Sequence, residues 1–220
     1  MVAPLSSKTA FHDAVAVPPQ IVTRKTSGSV TDITHSGFAA NTNIMTSFGD
    51  VRVQNLEVGA RVITRDHGMQ TVRWIGSHKA RITPKNAPIV IQQSVLKNTR
   101  DLILSPEHRI LFKGEQAELM FGQSEVLVPA KAFLNNDRVY QVVGGVVEYY
   151  HVLFDRHEII YSEGTSTESY HPNDVNITSF DQEIRESLYK VAPHLQSNSK
   201  SFGPSIRTCL NVEEARLLNI

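Results

Sequence analysis

Gly37-Phe38-Ala39-Ala40-Asn41-Thr42, followed by Val53-Gln54-Asn55-Leu56-Glu57-Val58-Gly59-Ala60-Arg61-Val62-Ile63-Thr64-Arg65-Asp66, is the stretch on which the reading of this chain turns. Glu57-Val58-Gly59 has turn chemistry, residues 60–64 alternate polar and apolar, and Arg65-Asp66-His67-Gly68 is a second turn ending in glycine. Upstream, residues 43–46 and 51–53 flank Phe48-Gly49-Asp50, which reads as a tight hairpin. Downstream, residues 70–74, 89–91, 102–104, 109–112 and 125–128 continue a series of short strands between turn residues. Residues 129–134 predict one helical turn opened by proline. Residues 139–143, Gly144-Gly145 and residues 146–154 predict a hairpin, and residues 158–161 and 167–170 close the series. Regularly spaced short strands of this kind predict an all-β domain.

The flanks differ from this pattern. Residues 1–35 mix Ser, Thr, Pro and Ala without a sustained period, and Pro18-Pro19 prevents a long helix. They are expected to form a loosely ordered leader, with at most a short element near residues 20–24. Past residue 172, Ser179-Phe180-Asp181-Gln182 reads as a capping box for a helix whose Phe180, Ile184, Leu188 and Val191 share one face and which Pro193 stops. Residues 196–205 read as a linker, and Asn211 as the cap of a last short helix carrying Ala215, Leu217 and Leu218. The expected organisation is a leader (1–35), a β domain (36–172) and an extension with two helices (173–220).

Composition excludes several function classes. Lys plus Arg and Asp plus Glu each number 22, so no net field draws the chain to nucleic acid or to an anionic membrane. The lone Cys209 cannot form an intrachain disulfide and is expected to be a buried, inert thiol. No apolar run reaches the roughly 20 residues of a membrane helix. The N-terminus lacks a secretory signal, so a cytoplasmic location or export by a signal-less route is expected. Arg61, Arg65, Arg73, Lys79, Arg81 and Lys85 alternate with apolar residues and read as a solvated sheet face rather than a nucleic-acid footprint. Gly144-Gly145 reads as a turn rather than a phosphate cradle, because no Lys-Ser/Thr follows.

Three separated segments resemble the Hint domain, the self-processing module of hedgehog proteins and inteins. They are the opening stretch, then Leu104-Ser105-Pro106-Glu107-His108-Arg109, then Tyr149-Tyr150-His151-Val152-Leu153-Phe154-Asp155-Arg156-His157-Glu158. Arg73-Trp74-Ile75-Gly76 adds a likeness to a bacterial Hint subgroup. The resemblance implies a horseshoe of two related β subunits and peptide-bond self-cleavage. It makes Ser105 and His108 the counterparts of the family's Thr-x-x-His, and makes Asp155 and His157 the matching late positions. No cofactor and no metal are expected.

Two departures bear on activity. Gly37 stands where the working family carries its nucleophilic Cys, and a peptide bond cannot be attacked by a glycine side chain. Ser36 is one residue early; strand alternation would turn its hydroxyl away from the site, toward a different carbonyl. At the other end, in Glu168-Ser169-Tyr170-His171-Pro172-Asn173, Pro172 separates His171 from Asn173 and no Cys, Ser or Thr acceptor follows, so splicing is unsupported. The expectation is a Hint domain without its nucleophile, with a binding or regulatory role and an unidentified protein partner. The alternatives are self-cleavage through Ser36, or an interaction module. Each site residue also has a plainer reading: His108 as a structural histidine, Asp155 and His157 as a hairpin ion pair. His151, Asp155 and His157 share strand parity as metal ligands would, but the turn among them breaks that alignment.

Overall fold

The structure, a computed structural model, describes residues 36–220. The leader and its expected element near residues 20–24 lie outside the described residues. Fifteen strands are seen among those described: β1 (Phe38–Ala39), β2 (Asn43–Thr46), β3 (Gly49–Arg52), β4 (Arg61–Thr64), β5 (Gly68–Thr71), β6 (Trp74–Arg81), β7 (Ile89–Ile91), β8 (Leu102–Leu104), β9 (Arg109–Lys113), β10 (Glu125–Pro129), β11 (Val139–Gln141), β12 (Val146–Leu153), β13 (Ile159–Ser162), β14 (Thr165–Glu168) and β15 (Thr208–Cys209). They form a six-stranded sheet, β11-β7-β8-β1-β12-β6, and a larger one, β15-β10-β9-β14-β13-β2-β4-β5, with β3 paired to β2. The chain is all-β with helices at its C-terminal end.

Burial alternates where alternation was read. β4 carries Val62 and Thr64 inward, and β7 is buried along its whole length. Phe38, Ile44, Val62, Ile89, Leu102, Leu104, Ile110, Val152 and Ile160 belong to one continuous core. The two hairpins near the N-terminal end form as expected, with Thr46 opposite Gly49 and Thr64 opposite Gly68. In β6, Gly76 is required by its neighbour: a Cβ there would stand 2.2 Å from the Trp74 ring. The short helical turn after Pro129 is present at Ala130–Phe133.

The hairpin expected around Gly144-Gly145 does not form. β11 pairs with β7, whereas β12 pairs with β6 and β1, so the diglycine joins two distant strands of one sheet. Turn chemistry reports that the chain reverses locally; it does not choose strand partners. A helix unforeseen from the sequence, α1 (Glu115–Phe121), bridges β9 and β10 and ends on Gly122 in the left-handed region.

The C-terminal extension is richer than two helices. α2 (Asp174–Thr178), α3 (Gln182–Val191), α4 (His194–Ser197) and α5 (Val212–Ala215) are accompanied by 3-10 turns at Ser199–Phe202, within the segment read as linker, and at Arg216–Leu218. The capping box lies at Asn173 and Asn176, ahead of α2, and not at Ser179. Ser179 instead donates to the Asn176 carbonyl, and α3 starts at Gln182 after an uncapped Asp181. Asn211 does cap α5, reciprocally with Glu214. Leu188 and Leu195 pack with Trp74, Leu153, Tyr170 and Phe180, seating the helices against β6. Burying each such leucine contributes about 1.5–3 kcal/mol, more than these short helices gain alone. Trp74 also donates to Ser187 Oγ at 2.9 Å. β15 adds a parallel strand to β10, and Arg207 bonds Glu125 and Asp66. Among the described residues no helix is long and apolar enough to cross a membrane.

Candidate functional site

The site forms where the chain passes between the two sheets. β1 lies inside the six-stranded sheet, with Phe38 opposite Leu104 on one side and Tyr150 on the other. Directly after β8, Ser105 through His108 crosses to β9 in the second sheet. β14, ending at Glu168, pairs with β9 through Thr167 and Ile110. The residues preceding β1 therefore face groups carried by both sheets.

The Ser36–Gly37 peptide group is held at both ends. Gly37 N–H donates to Ser105 Oγ at 2.9 Å, and the Ser36 carbonyl oxygen lies 2.6 Å from His151 Nδ1. A carbonyl only accepts, so His151 carries its proton on Nδ1. Its other nitrogen, Nε2, lies 3.0 Å from His78 Nδ1, which makes His78 the donor of that pair when His151 is neutral. Burial holds His78 to a pKa of about 4, well below 6.5, so it is neutral at pH 7. Phe180 meets the His151 ring edge-on at 4.9 Å, and Tyr170 does so at 5.4 Å.

Gly37 has no side chain, and its surroundings leave little room for one. A Cβ at this position would stand 3.1 Å from His151 Cε1, 3.1 Å from Tyr149 Cβ and 3.2 Å from the Tyr150 carbonyl oxygen. The neighbours would have to yield by a few tenths of an ångström.

Ser36 departs from expectation. Its hydroxyl does not turn away; Oγ lies 3.1 Å from His108 Nδ1 and 2.7 Å from Glu168 Oε1. Residues 36 and 37 do face opposite ways, Gly37 toward His151 and Ser36 toward His108, but the site has groups on both sides. His108 is fully buried against Phe38, and burial lowers its pKa to about 4.

Glu168, passed over in the sequence, gathers this side of the site. Its Oε1 also accepts from the Arg109 N–H at 2.9 Å, while Oε2 lies 3.7 Å from Arg109 Nη1. His157 Nε2 lies 3.4 Å from Oε2, an ion-pair distance that falls short of full hydrogen-bond geometry. Burial would raise the Glu168 pKa; the His157 contact and the charges of Arg109, His157 and His108 prevail and bring it to about 2. The carboxylate is thus ionised at neutral pH. His157 Nδ1 accepts from the Ile206 N–H at 3.3 Å and lies 3.0 Å from Ser205 Oγ, which leaves its proton on Nε2, toward Glu168. His171 stacks on His157 at 4.6 Å.

Of the four motif positions, Ser105, His108 and His157 surround this cluster and Asp155 does not. Asp155 is exposed and bonds Arg73 through both oxygens, at 2.9 and 2.8 Å. It forms no hairpin pair with His157, because β12 ends at Leu153 and the intervening bend sends the two side chains apart. His151, Asp155 and His157 likewise meet three different partner sets. Among the described residues no group of three or more His, Cys, Asp or Glu could hold a metal ion. Arg65 pairs with Glu125, Arg73 with Asp155 and Lys79 with Glu148. Cys209 is half-buried, 3.1 Å from Ser205 Oγ, and burial raises its pKa. Asn173 is occupied as the cap of α2. His78, Arg109, Phe180 and Ser205 reach the site only through folding. Glu168 had one sequence signal, a carboxylate within the strand predicted at residues 167–170.

The solved structures similar to this chain are intein-type domains. A bacterial intein-like domain from Clostridium thermocellum has 12% identity and a TM-score of 0.45, covering 61% of this chain and 98% of its own. A DnaB intein from Synechocystis sp. PCC 6803 has 9% identity and a TM-score of 0.42, covering 61% and 99%. A splice-inactive variant of the AceL NrdHF class 3 split intein has 13% identity and a TM-score of 0.41, covering 60% and 96%. No curated protein gives a match. The family model described as Hint domain matches residues 36–174, more than half of the chain. The match begins at the serine whose carbonyl and hydroxyl organise the site, and on it this chain belongs to the Hint domain family.

Proposed function

We propose that this chain is a Hint domain that no longer cuts itself and serves as a binding or regulatory module. The carrying observation is at Gly37: the adjoining peptide group is gripped by His151 and Ser105, yet nothing at residue 37 can attack it, and the space for a side chain is tight. Polarising a carbonyl lowers the barrier only for a nucleophile that is present. Ser105, His108 and His157 are read as inherited positions of the cutting machinery, and residues 173–220 as an extension that covers it through Phe180 and Ser205. Residues 1–35 are read as a leader and residues 36–172 as the β domain. Freshly expressed full-length chain should keep one intact mass over days, with dithiothreitol or hydroxylamine added. A cut between Ser36 and Gly37 would defeat this reading.

A second reading is favoured by one contact, that of Ser36 Oγ with His108. Ser36 would attack the carbonyl of the residue before it, exchanging that amide for an ester and a free amine at Ser36, and water would hydrolyse the ester to release a fragment that begins at Ser36. The same mass measurement would detect that fragment, and Ser36→Ala should abolish it. Equal release from the variant sinks this alternative.

A further inference from the structure

We propose that Glu168 is a positioning residue that locks Ser36: it takes the only hydroxyl proton of the serine, so that Ser36 Oγ must accept from His108 Nδ1–H and His108 cannot receive that proton. The inference deepens the non-cleaving reading and rests on it.

The geometry fixes the direction of each proton. An ionised carboxylate only accepts, so the 2.7 Å contact between Ser36 Oγ and Glu168 Oε1 is a hydroxyl donating to an anion. A hydroxyl has one proton. The 3.1 Å contact with His108 Nδ1 is then a hydrogen bond only if the imidazole donates. Nothing opposes that tautomer, because His108 Nε2 is buried and has no hydrogen-bond partner among the described residues. Glu168 is itself held in place. Arg109 N–H meets the same oxygen as Ser36, and the Arg109 guanidinium and His157 flank the other. His157 keeps its Nε2 proton toward Glu168 because a backbone N–H occupies its Nδ1.

The consequence is chemical. A serine becomes a nucleophile when a base of suitable strength accepts its proton. Here the hydroxyl proton points at a carboxylate whose pKa is about 2, far too weak a base to take it near neutral pH. The imidazole beside it, the stronger base of the two, is turned the wrong way round. The serine hydroxyl sits among groups that resemble a nucleophile–base pair, with the hydrogen bonds running in reverse.

Long-range proton–nitrogen correlation spectra of the full-length chain, labelled on histidine, test this at neutral pH. In the wild type His108 should be neutral with its proton on Nδ1. Glu168→Ala should move the proton to Nε2, as Ser36 turns its hydroxyl to Nδ1. Glu168→Gln should keep it on Nδ1, since the amide oxygen replaces Oε1 between the same two donors. A wild-type His108 protonated on Nε2 overturns the proposal, as does a folded Glu168→Ala whose His108 is unchanged. If the alanine variant does not fold, the wild type and Glu168→Gln decide. Self-cutting by the wild type would defeat the non-cleaving reading on its own, whatever the tautomer.

Discussion

The Ser36–Gly37 segment lies between two histidine environments built on opposite principles. On one side His151, hydrogen-bonded to a neutral His78, is closed in by Phe180 and Tyr170. On the other, His108 and His157 flank an ionised, fully buried Glu168 balanced by Arg109. The neutral side is held by packing and by hydrogen bonds to backbone. The ionic side is held by charge balance, which persists only while every partner is present. The difference teaches where this site is fragile: losing one partner should hurt the ionic side most, whereas acid should reach the buried neutral histidines of both sides first.

The largest effect is expected from Glu168→Ala. It leaves Arg109 and His157 facing an uncompensated space, and breaking a buried pair in this way costs about 3–5 kcal/mol. Chemical denaturation measures it, and a loss below about 1 kcal/mol would mean the cluster is solvated like a surface pair. Phe180→Ala should follow at about 3 kcal/mol, the low end for a buried phenylalanine. If it loosens only the neutral side, the His151 resonances should move while those of His157 stay.

Acid separates the buried histidines from Glu168 by window. Burial lowers His78 and His108 from 6.5 to about 4, so the unfolded chain binds protons that the folded chain refuses. Stability should therefore fall as pH drops from 6.5 toward 4, by on the order of 3 kcal/mol for each histidine at most. Glu168 moves from 4.5 down to about 2, so its contribution persists at neutral pH and is lost only as pH falls from 4.5 through 2. Denaturation midpoints that stay level from pH 7 to 4.5 would break the assignment of neutral buried histidines. The smallest effect is expected at Gly37. Gly37→Ala should cost about 1–3 kcal/mol through overpacking against His151 and Tyr149, without any cut. Gly37→Cys should cost a similar amount but give thiol-dependent release between residues 36 and 37. A stable, silent cysteine variant would show that more than the thiol has been lost.

Much of this was legible in the chain. The order of the opening stretch, the Ser105/His108 pair and the late His157 segment named the family, because short strands with fixed turn residues leave a linear trace. The runs read as strands at residues 60–64 and 102–104 carry Val62, Leu102 and Leu104 into the core. The misreadings share a cause. Gly144-Gly145 marked a reversal but not the partners of its strands; Asp155 sat beside His157 in sequence but turned to Arg73 at the surface. Ser36 does point opposite to residue 37, but folding puts His108 and Glu168 there.

The sequence by itself determined the fold class and the absence of a side chain at residue 37, because alternation, turn chemistry and residue identity are properties of neighbours along the chain. Tertiary structure alone decided that Glu168, from the end of β14, meets Ser36 and His108, and that Phe180 from the tail closes over His151. Hydrogen-bond direction and burial depend on which atoms lie within about 3 Å in space, and contacts spanning 132 residues, as between Ser36 and Glu168, leave no local pattern to read.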